Sequence, residues 1–236
     1  MTQPDSPIRR NPVFVALDTP DLATALDLAA STGPHVGGLK VGLEFVNAQG
    51  PDGVRAIVLL GYPVFLDVKL HDIPNTVAGA VRALSRLGVE IINVHASGGR
   101  AMMEAARKAA PPSIKIIGVT ILTSLDAADL GDVGMYPDPS TQVVRLAKLA
   151  KASGLDGVVC AASDLAAVRA ACGPDFLTIV PGIRPAGADL GDQKRVMSPL
   201  AARNAGADIL VIGRPITAAA DPAAAARDVA AELELV

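Results

Sequence analysis

Residues able to do chemistry are concentrated in one short stretch, Asp67 to Thr76, which reads DVKLHDIPNT. In an extended strand Asp67 and Lys69 point to the same side while Val68 points to the other, and Asp72 follows where the strand gives way to a loop. An ammonium held between carboxylates keeps its charge and can donate a proton in a partly dry site. Taken alone, this Asp-x-Lys-x-x-Asp spacing is equally compatible with a solvated ion pair at a strand end.

Further polar residues occur near or just after the ends of other short apolar runs. They are Asp18, Lys40, His95, Thr123, Gly213 and Arg214. Asp18 and Lys40 would add opposite charges to the site that holds Asp67 and Lys69. An alternating Asp/Lys network is costly to assemble without a chemical use, so the combined pattern favours a reactive site over an incidental ion pair.

The elements that would position these side chains alternate between strands and helices. Eight apolar runs rich in β-branched residues predict strands at 13–17, 37–41, 63–68, 90–94, 114–122, 156–160, 176–180 and 208–212. Between them, Ala- and Leu-rich stretches with helical periodicity predict helices at 21–32, 76–88, 101–110, 141–154, 163–173 and 221–236. The predicted helix N-caps are Asp21, Ser163 and Asp221.

This alternation predicts an α/β protein built on a parallel sheet, and eight repeats fit a single (β/α)8 TIM barrel. A doubly wound open sheet is the alternative, but the first strand-to-helix turn, 17–21, lacks the glycine-rich phosphate fingerprint of that fold. No composition break follows residue 12, so we expect a flexible tail over 1–11 and one catalytic domain over 12–236. The Gly- and Asp-rich segment 181–196 is too long for a simple connection and predicts a lid or binding loop.

The composition excludes several classes of partner. A net charge of −3 provides no basic field for nucleic acid or anionic lipid, so any bound phosphate must be held locally. The N-terminal stretch lacks the apolar core of a secretory signal, and no apolar run reaches the roughly 20 residues of a membrane span. We therefore expect a cytoplasmic protein with neither nucleic acid nor membrane as a partner. The two cysteines and three histidines show no metal-site spacing.

These motifs resemble those of the bacterial orotidine 5′-phosphate decarboxylase family. The resemblance spans about residues 12–230 and rests on DVKLHDIPNT together with FVALD at 14–18, LKVG at 39–42, LTS at 122–124, PGIR at 181–184, DQKRV at 192–196 and IGRPI at 212–216. The Asp-x-Lys-x-x-Asp motif alone is shared with keto-gulonate-phosphate decarboxylases and hexulose-phosphate synthases. The Ile-Pro-Asn-Thr continuation, the Asp18/Lys40 pair and the loop with Gln193 narrow the resemblance to the first family.

The resemblance implies conversion of orotidine 5′-monophosphate to UMP and CO2, the last step of pyrimidine nucleotide synthesis, without a metal or organic cofactor. Lys69 would stabilise and protonate the carbanion, Asp67 would lie beside the substrate carboxylate, and Asp72 and Lys40 would complete the charge network. The implied substrate contacts are Asp18 and Lys40 to the ribose, Thr123 on the path to the ring, and Arg184, Gln193, Gly213 and Arg214 around the phosphate, near a short helix following Pro215. In the family, Asp72 and Thr76 reach the neighbouring subunit's site, which implies a homodimer.

Two other functions are compatible with parts of the pattern. The first is a Mg²⁺-dependent sugar-phosphate decarboxylase or aldolase, whose activity a chelator should abolish; the Gln193 loop and Asp18 argue against it. The second is a non-catalytic nucleotide-binding barrel, which would require Lys69 or a network carboxylate to be missing. His71 is interpreted either as structural or as a residue that supports the charged side chains from behind, and His95 as a residue that could line the pocket.

Overall fold

The computed structural model describes residues 11–185 and 197–235. Eight parallel strands follow one another in chain order around a closed barrel, and β8 pairs with β1. They are β1 Val13–Ala16, β2 Gly38–Gly42, β3 Val64–Leu70, β4 Ile91–His95, β5 Lys115–Val119, β6 Gly157–Val159, β7 Leu177–Val180 and β8 Ile209–Ile212. The predicted (β/α)8 barrel is confirmed, and all eight strands fall within or beside the predicted runs.

Helices surround the barrel. Those within the described residues are α1 Leu22–Thr32, α2 Leu43–Val58, α3 Pro74–Leu84, α4 Arg100–Ala109, α5 Ala127–Asp132, α6 Pro139–Ala152, α7 Leu165–Cys172, α8 Pro199–Asn204, α9 Arg214–Thr217 and α10 Pro222–Glu232. The sequence did not predict α2, α5 or α8. In α2, Gly50 has non-helical backbone angles and is followed by Pro51, which kinks the helix and interrupts its periodicity. The other two have six residues each, too few for a periodic signal.

Two of the three predicted N-caps are confirmed. The Asp21 carboxylate accepts a hydrogen bond from the Thr24 N–H, and the Asp221 carboxylate accepts one from the Ala224 N–H. The prediction for Ser163 is wrong. A 3-10 turn over Ala162–Asp164 precedes α7 and moves the start of the helix, so that Asp164 occupies the N-cap position.

The barrel interior is apolar toward the amino ends of the strands and charged at their carboxyl ends. The interior cluster contains Phe14, Ala16, Phe65, Ile91, Ile117, Ile179, Ile209 and Val211. Alternate residues of the same strands, such as Val15 and Leu39, pack outward against the helices in a second cluster. Phe14 fills the barrel beside Gly38, where a Cβ would lie 2.4 Å from the ring. The apolar fill closes the barrel from below, so a ligand site can open only at the carboxyl ends of the strands.

The described part of the chain contains no helix that is both long enough and apolar enough to cross a lipid bilayer.

Candidate active site

Four of the charged residues predicted to meet at the strand ends do so. The Lys40 Nζ lies 2.5 Å from Asp18 Oδ1 and 3.8 Å from Asp67 Oδ2, and the Lys69 Nζ lies 2.7 Å from Asp67 Oδ1. The four side chains therefore form a row of alternating charge, Asp18–Lys40–Asp67–Lys69, contributed by three neighbouring strand ends. An Asp/Lys row of this kind can impose a strong local field on a ligand that lies against it.

The side chains at the centre of this row are more buried than Asp18 at its outer end. The side chain of Asp18 is 54% exposed, whereas that of Asp67 is 15% exposed and that of Lys40 only 7%. Gly42 leaves room for the Asp18–Lys40 contact, because a Cβ at this position would lie 3.0 Å from Asp18 Oδ1 and 3.1 Å from Lys40 Nζ and would crowd the pair. The glycine of the LKVG motif thus provides space for the ion pair.

The Asp67 carboxylate stays ionised in spite of its burial. Burial by itself would raise the pKa of Asp67, but the charges of Lys69 and Lys40 and the hydrogen bonds from Lys69 and Asn93 outweigh that effect and hold the pKa below its ordinary value. A fixed negative charge therefore lies beside the Lys69 ammonium at neutral pH.

The backbone at Lys69 has an uncommon conformation. Its φ of 50° lies in the left-handed region, which costs a residue with a side chain about 1–2 kcal/mol. The register of β3 against β4 shifts at the same place: Leu66 pairs with Ile92 and Leu70 with Val94, so that four steps along β3 match two along β4. Simple alternation predicted the side on which Lys69 lies but not this bulge, which carries its side chain to the mouth of the barrel.

Asn93, which the sequence pattern did not single out, hydrogen-bonds to Lys69 at this bulge and to Asp67. It is fully buried on β4, its Oδ1 accepts a hydrogen bond of 2.7 Å from the Lys69 N–H, and its Nδ2 donates one of 2.6 Å to Asp67 Oδ1. The available signal was a single asparagine in the otherwise apolar strand segment IINV. A buried amide in such a segment must find partners, although the sequence does not say which ones.

Two adjoining cavities open along the charged row and share Asp67, Pro181 and Val211 as lining residues. The first has a volume of about 250 Å³; its walls are largely apolar, with Asp67, Lys69 and Thr123 among the polar groups at its edge. The second, of about 420 Å³, is lined by Asp18, Lys40, Arg184, Gly213 and Arg214 among others. The site therefore combines a largely apolar slot with a polar chamber lined by two arginines.

Asp72 and Thr76 are not part of this intrachain cluster. Both are exposed, and the Asp72 carboxylate accepts a hydrogen bond of 2.6 Å from the adjacent Ile73 N–H. Within the described residues Asp72 forms no ion pair with Lys69. Ile73, beside it, is a large apolar side chain that is 67% exposed.

Gln193 and residues 186–196 of the predicted loop lie outside the described residues. Among the residues that the structure does describe, no three His, Cys, Asp or Glu side chains cluster closely enough to hold a metal ion.

His95 and His71 lie next to the charged row, with ring centroids 5.6 Å apart and planes tilted by 39°. Burial is the main cause that lowers the pKa of His95 below its ordinary value of 6.5, and the nearby His71 and Lys69 charges lower it further, against a smaller opposite effect of Asp67. His95 is therefore neutral at neutral pH.

This lowered pKa predicts a pH dependence of stability. As the pH falls through about 6.5 the unfolded chain takes up a proton on this residue before the folded chain does, so the free energy of unfolding should decrease. We expect His95→Gln to reduce this slope in urea unfolding series between pH about 7.5 and about 5.5. His35→Gln, away from the site, is the matched control; equal slopes for wild type and His95→Gln would contradict the prediction.

The fold and the charged site together define a (β/α)8-barrel enzyme with a row of alternating carboxylate and ammonium groups at the mouth of its barrel. A family model described as "Orotidine 5'-phosphate decarboxylase / HUMPS family" matches residues 11–229. The chain belongs to this family.

Individual relatives agree with this membership. The chain is 53% identical over 236 residues to orotidine 5′-phosphate decarboxylase of Moorella thermoacetica, covering 96% of this chain and 94% of the relative. It is 54% identical over 221 residues to the protein of that name from Anaeromyxobacter sp. strain K, covering 94% and 97%. The crystal structure of orotidine 5′-phosphate decarboxylase from Lactobacillus acidophilus matches with a TM-score of 0.84 at 37% identity, covering 94% of this chain and 99% of that one.

Proposed function

We propose that this chain decarboxylates orotidine 5′-monophosphate to UMP and CO2, the final step of UMP synthesis. The observation that carries the proposal is the Asp18–Lys40–Asp67–Lys69 row, which lies between an apolar slot and a chamber with two arginines. The direct test is the loss of orotate-ring absorbance when orotidine 5′-monophosphate is added to the purified protein.

The two cavities match the two ends of this substrate. The apolar slot, with Thr123 at its edge, accepts the pyrimidine ring, and Lys69 and Asp67 face the ring carbon that carries the carboxylate. In the adjoining chamber, Asp18 and Lys40 bind the ribose hydroxyls. The phosphate lies against Gly213 and the guanidinium groups of Arg184 and Arg214, which can bind phosphate oxygens in pairs. Gln193 is proposed as a further phosphate contact on the strength of the sequence resemblance.

The chemistry follows from the charges. When the bond to the carboxylate breaks, CO2 leaves and the electron pair stays on a ring carbon that has no conjugated sink. The Lys69 ammonium stabilises this pair and transfers a proton to the carbon, which gives UMP and a neutral amine that solvent reprotonates. The ionised Asp67 repels the substrate carboxylate more than a transition state in which that group is leaving, so it favours the reaction.

The exposed position of Asp72 and Thr76 supports a homodimer with shared sites. An Asp72 that turned inward would pair with Lys69 of its own chain, but its carboxylate is exposed and contacts only the backbone of Ile73 among the described residues. The neighbouring Ile73 supplies apolar surface of the kind that an interface covers. We propose that Asp72 and Thr76 enter the partner's site, where Asp72 completes the charge row beside Lys69. The cytoplasmic location predicted from the sequence stays a prediction.

Arg214 provides a test of the phosphate end. We expect Arg214→Ala to lower kcat/KM by about 10- to 100-fold, as a charge-assisted hydrogen bond is lost, with KM raised and kcat lowered, because phosphate binding energy is used to organise the ring end. Steady-state kinetics measure both constants. Arg145→Ala, an exposed arginine on α6, is the control that should leave them unchanged. Wild-type kinetics for Arg214→Ala would remove this residue from the site.

A further inference from the structure

The side chain of Asn93 uses both ends of its amide within the active site. It is completely buried on β4, in the layer of the barrel directly below the mouth. Its Oδ1 accepts from the Lys69 N–H, and its Nδ2 donates to the same Asp67 oxygen that binds the Lys69 ammonium. One amide therefore joins the backbone of one reacting residue to the carboxylate of the other.

We propose that Asn93 is a positioning residue that holds Asp67 and Lys69 as one rigid unit. It acts at two places. It secures the left-handed backbone at Lys69 by giving the N–H of that residue an acceptor. It also fixes the Asp67 carboxylate by occupying Oδ1, so that Oδ2, whose contact among the described residues is the longer one to Lys40, can face the substrate carboxylate. The inference rests on the proposed decarboxylase function.

The two contacts determine the orientation of the amide. Because the Lys69 N–H can only donate and the ionised Asp67 can only accept, the side chain at this position must present an acceptor to one and a donor to the other. An aliphatic residue offers neither. An aspartate of the same shape keeps the acceptor for Lys69 but replaces the donor by a second carboxylate against Asp67.

The variant Asn93→Asp therefore separates the two contacts. The new carboxyl would lie at hydrogen-bond distance from the Asp67 carboxylate with no cation between them, so the two share a proton even though Lys69 and Lys40 also face Asp67. When the new carboxyl is protonated, its hydroxyl can donate to Asp67 as the amide did. Activity of this variant should then recover as the pH is lowered, whereas a residue with only a packing role predicts no such recovery.

The experiment compares Asn93→Asp and Asn93→Ala with wild type. For Asn93→Asp at neutral pH we expect kcat about 100-fold lower, as for a misaligned reacting group, with KM and UMP binding nearly unchanged. Its kcat relative to wild type at the same pH should rise by at least about 10-fold between pH about 8 and about 5.5. Asn93→Ala should lose kcat without this recovery. A flat ratio for Asn93→Asp, or a kcat near that of wild type, would overturn the proposal.

A matched control addresses general damage to the barrel. Thr178 is equally buried on β7 but binds Asp208 and Arg169, away from the site. Thr178→Val should lower the melting temperature without changing the kcat ratio or its pH dependence. If it changes kcat as much as Asn93→Ala does, the effect is structural and the positioning role is wrong.

A second measurement does not depend on catalysis. Amide hydrogen exchange at Lys69 should accelerate in Asn93→Ala, where the N–H loses its acceptor, and stay slow in Asn93→Asp, where an acceptor remains. If wild type fails to decarboxylate orotidine 5′-monophosphate, the proposed function fails, and the exchange rates still decide whether Asn93 holds this backbone. Unchanged protection in Asn93→Ala would contradict the inference in either case.

Discussion

Replacing Lys69 with alanine is expected to lower the turnover of orotidine 5′-monophosphate by about 10⁴-fold or more, because the change removes both the proton donor and the positive charge beside the carbanion. Binding of UMP should remain measurable, since Arg184 and Arg214 of the polar chamber are unchanged. Turnover is measured from the loss of orotate-ring absorbance, and UMP binding by calorimetry.

The left-handed backbone at residue 69 does not affect the interpretation of the Lys69→Ala variant. Lysine and alanine meet the same steric cost at a φ of 50°, so Lys69→Ala adds no new strain there. Lys69→Met keeps most of the length of the stem and removes the ammonium group, and it should be as inactive. Lys115→Ala, whose ammonium pairs with Asp156 at the opposite end of the barrel, is the control for loss of a lysine. Near-native turnover by either Lys69 variant would contradict the mechanism.

Mixing Lys69→Ala protein with Asp72→Ala protein is expected to restore activity that neither variant has alone. If Asp72 serves the partner's site, each heterodimer contains one site with both lesions and one site with none. Random pairing makes about half of the dimers heterodimers, so activity should recover to roughly a quarter of the wild-type value. The assay is turnover after incubation under conditions that allow subunits to exchange.

Subunit exchange must be shown independently, for example by mass spectrometry of differently tagged chains. An equal mixture of Lys69→Ala and Asp67→Ala proteins is the matched control. Both of those residues lie in one intrachain cluster, so every site in the mixture carries a lesion and no activity should return. Confirmed exchange without recovery in the Lys69/Asp72 mixture would show that Asp72 acts within its own chain.

The barrel could be predicted because its strands are short, buried on both faces and rich in β-branched residues. The same geometry made most of the site predictable. Parallel strands bring their carboxyl ends to one rim, so charges that end different runs must meet there, as Asp18, Lys40 and Asp67 do. The helix α2 was not predicted because Gly50 and Pro51 interrupt its helical periodicity.

The finer geometry of the site depends on contacts that no local pattern encodes. The alternation of side chains along a strand predicted that Lys69 and Asp67 lie on the same side of β3. The register shift that places Lys69 at the rim of the barrel depends on how β3 pairs with β4. Asn93 looked like a polar interruption of an apolar strand, since its two partners lie 24 and 26 residues away. The exposed direction of Asp72 likewise depends on a loop conformation that the DVKLHDIPNT pattern does not specify.

If the row of Asp and Lys side chains decarboxylates orotidine 5′-monophosphate with no metal, removing metal ions must leave the activity intact. The most direct test adds this substrate to purified protein that has been treated with EDTA and follows the orotate-ring absorbance. We expect complete loss of that absorbance, at the rate of untreated protein, with one CO2 and one UMP formed for each substrate consumed. No loss of absorbance, or a loss that occurs only after Mg²⁺ is restored, would contradict this expectation.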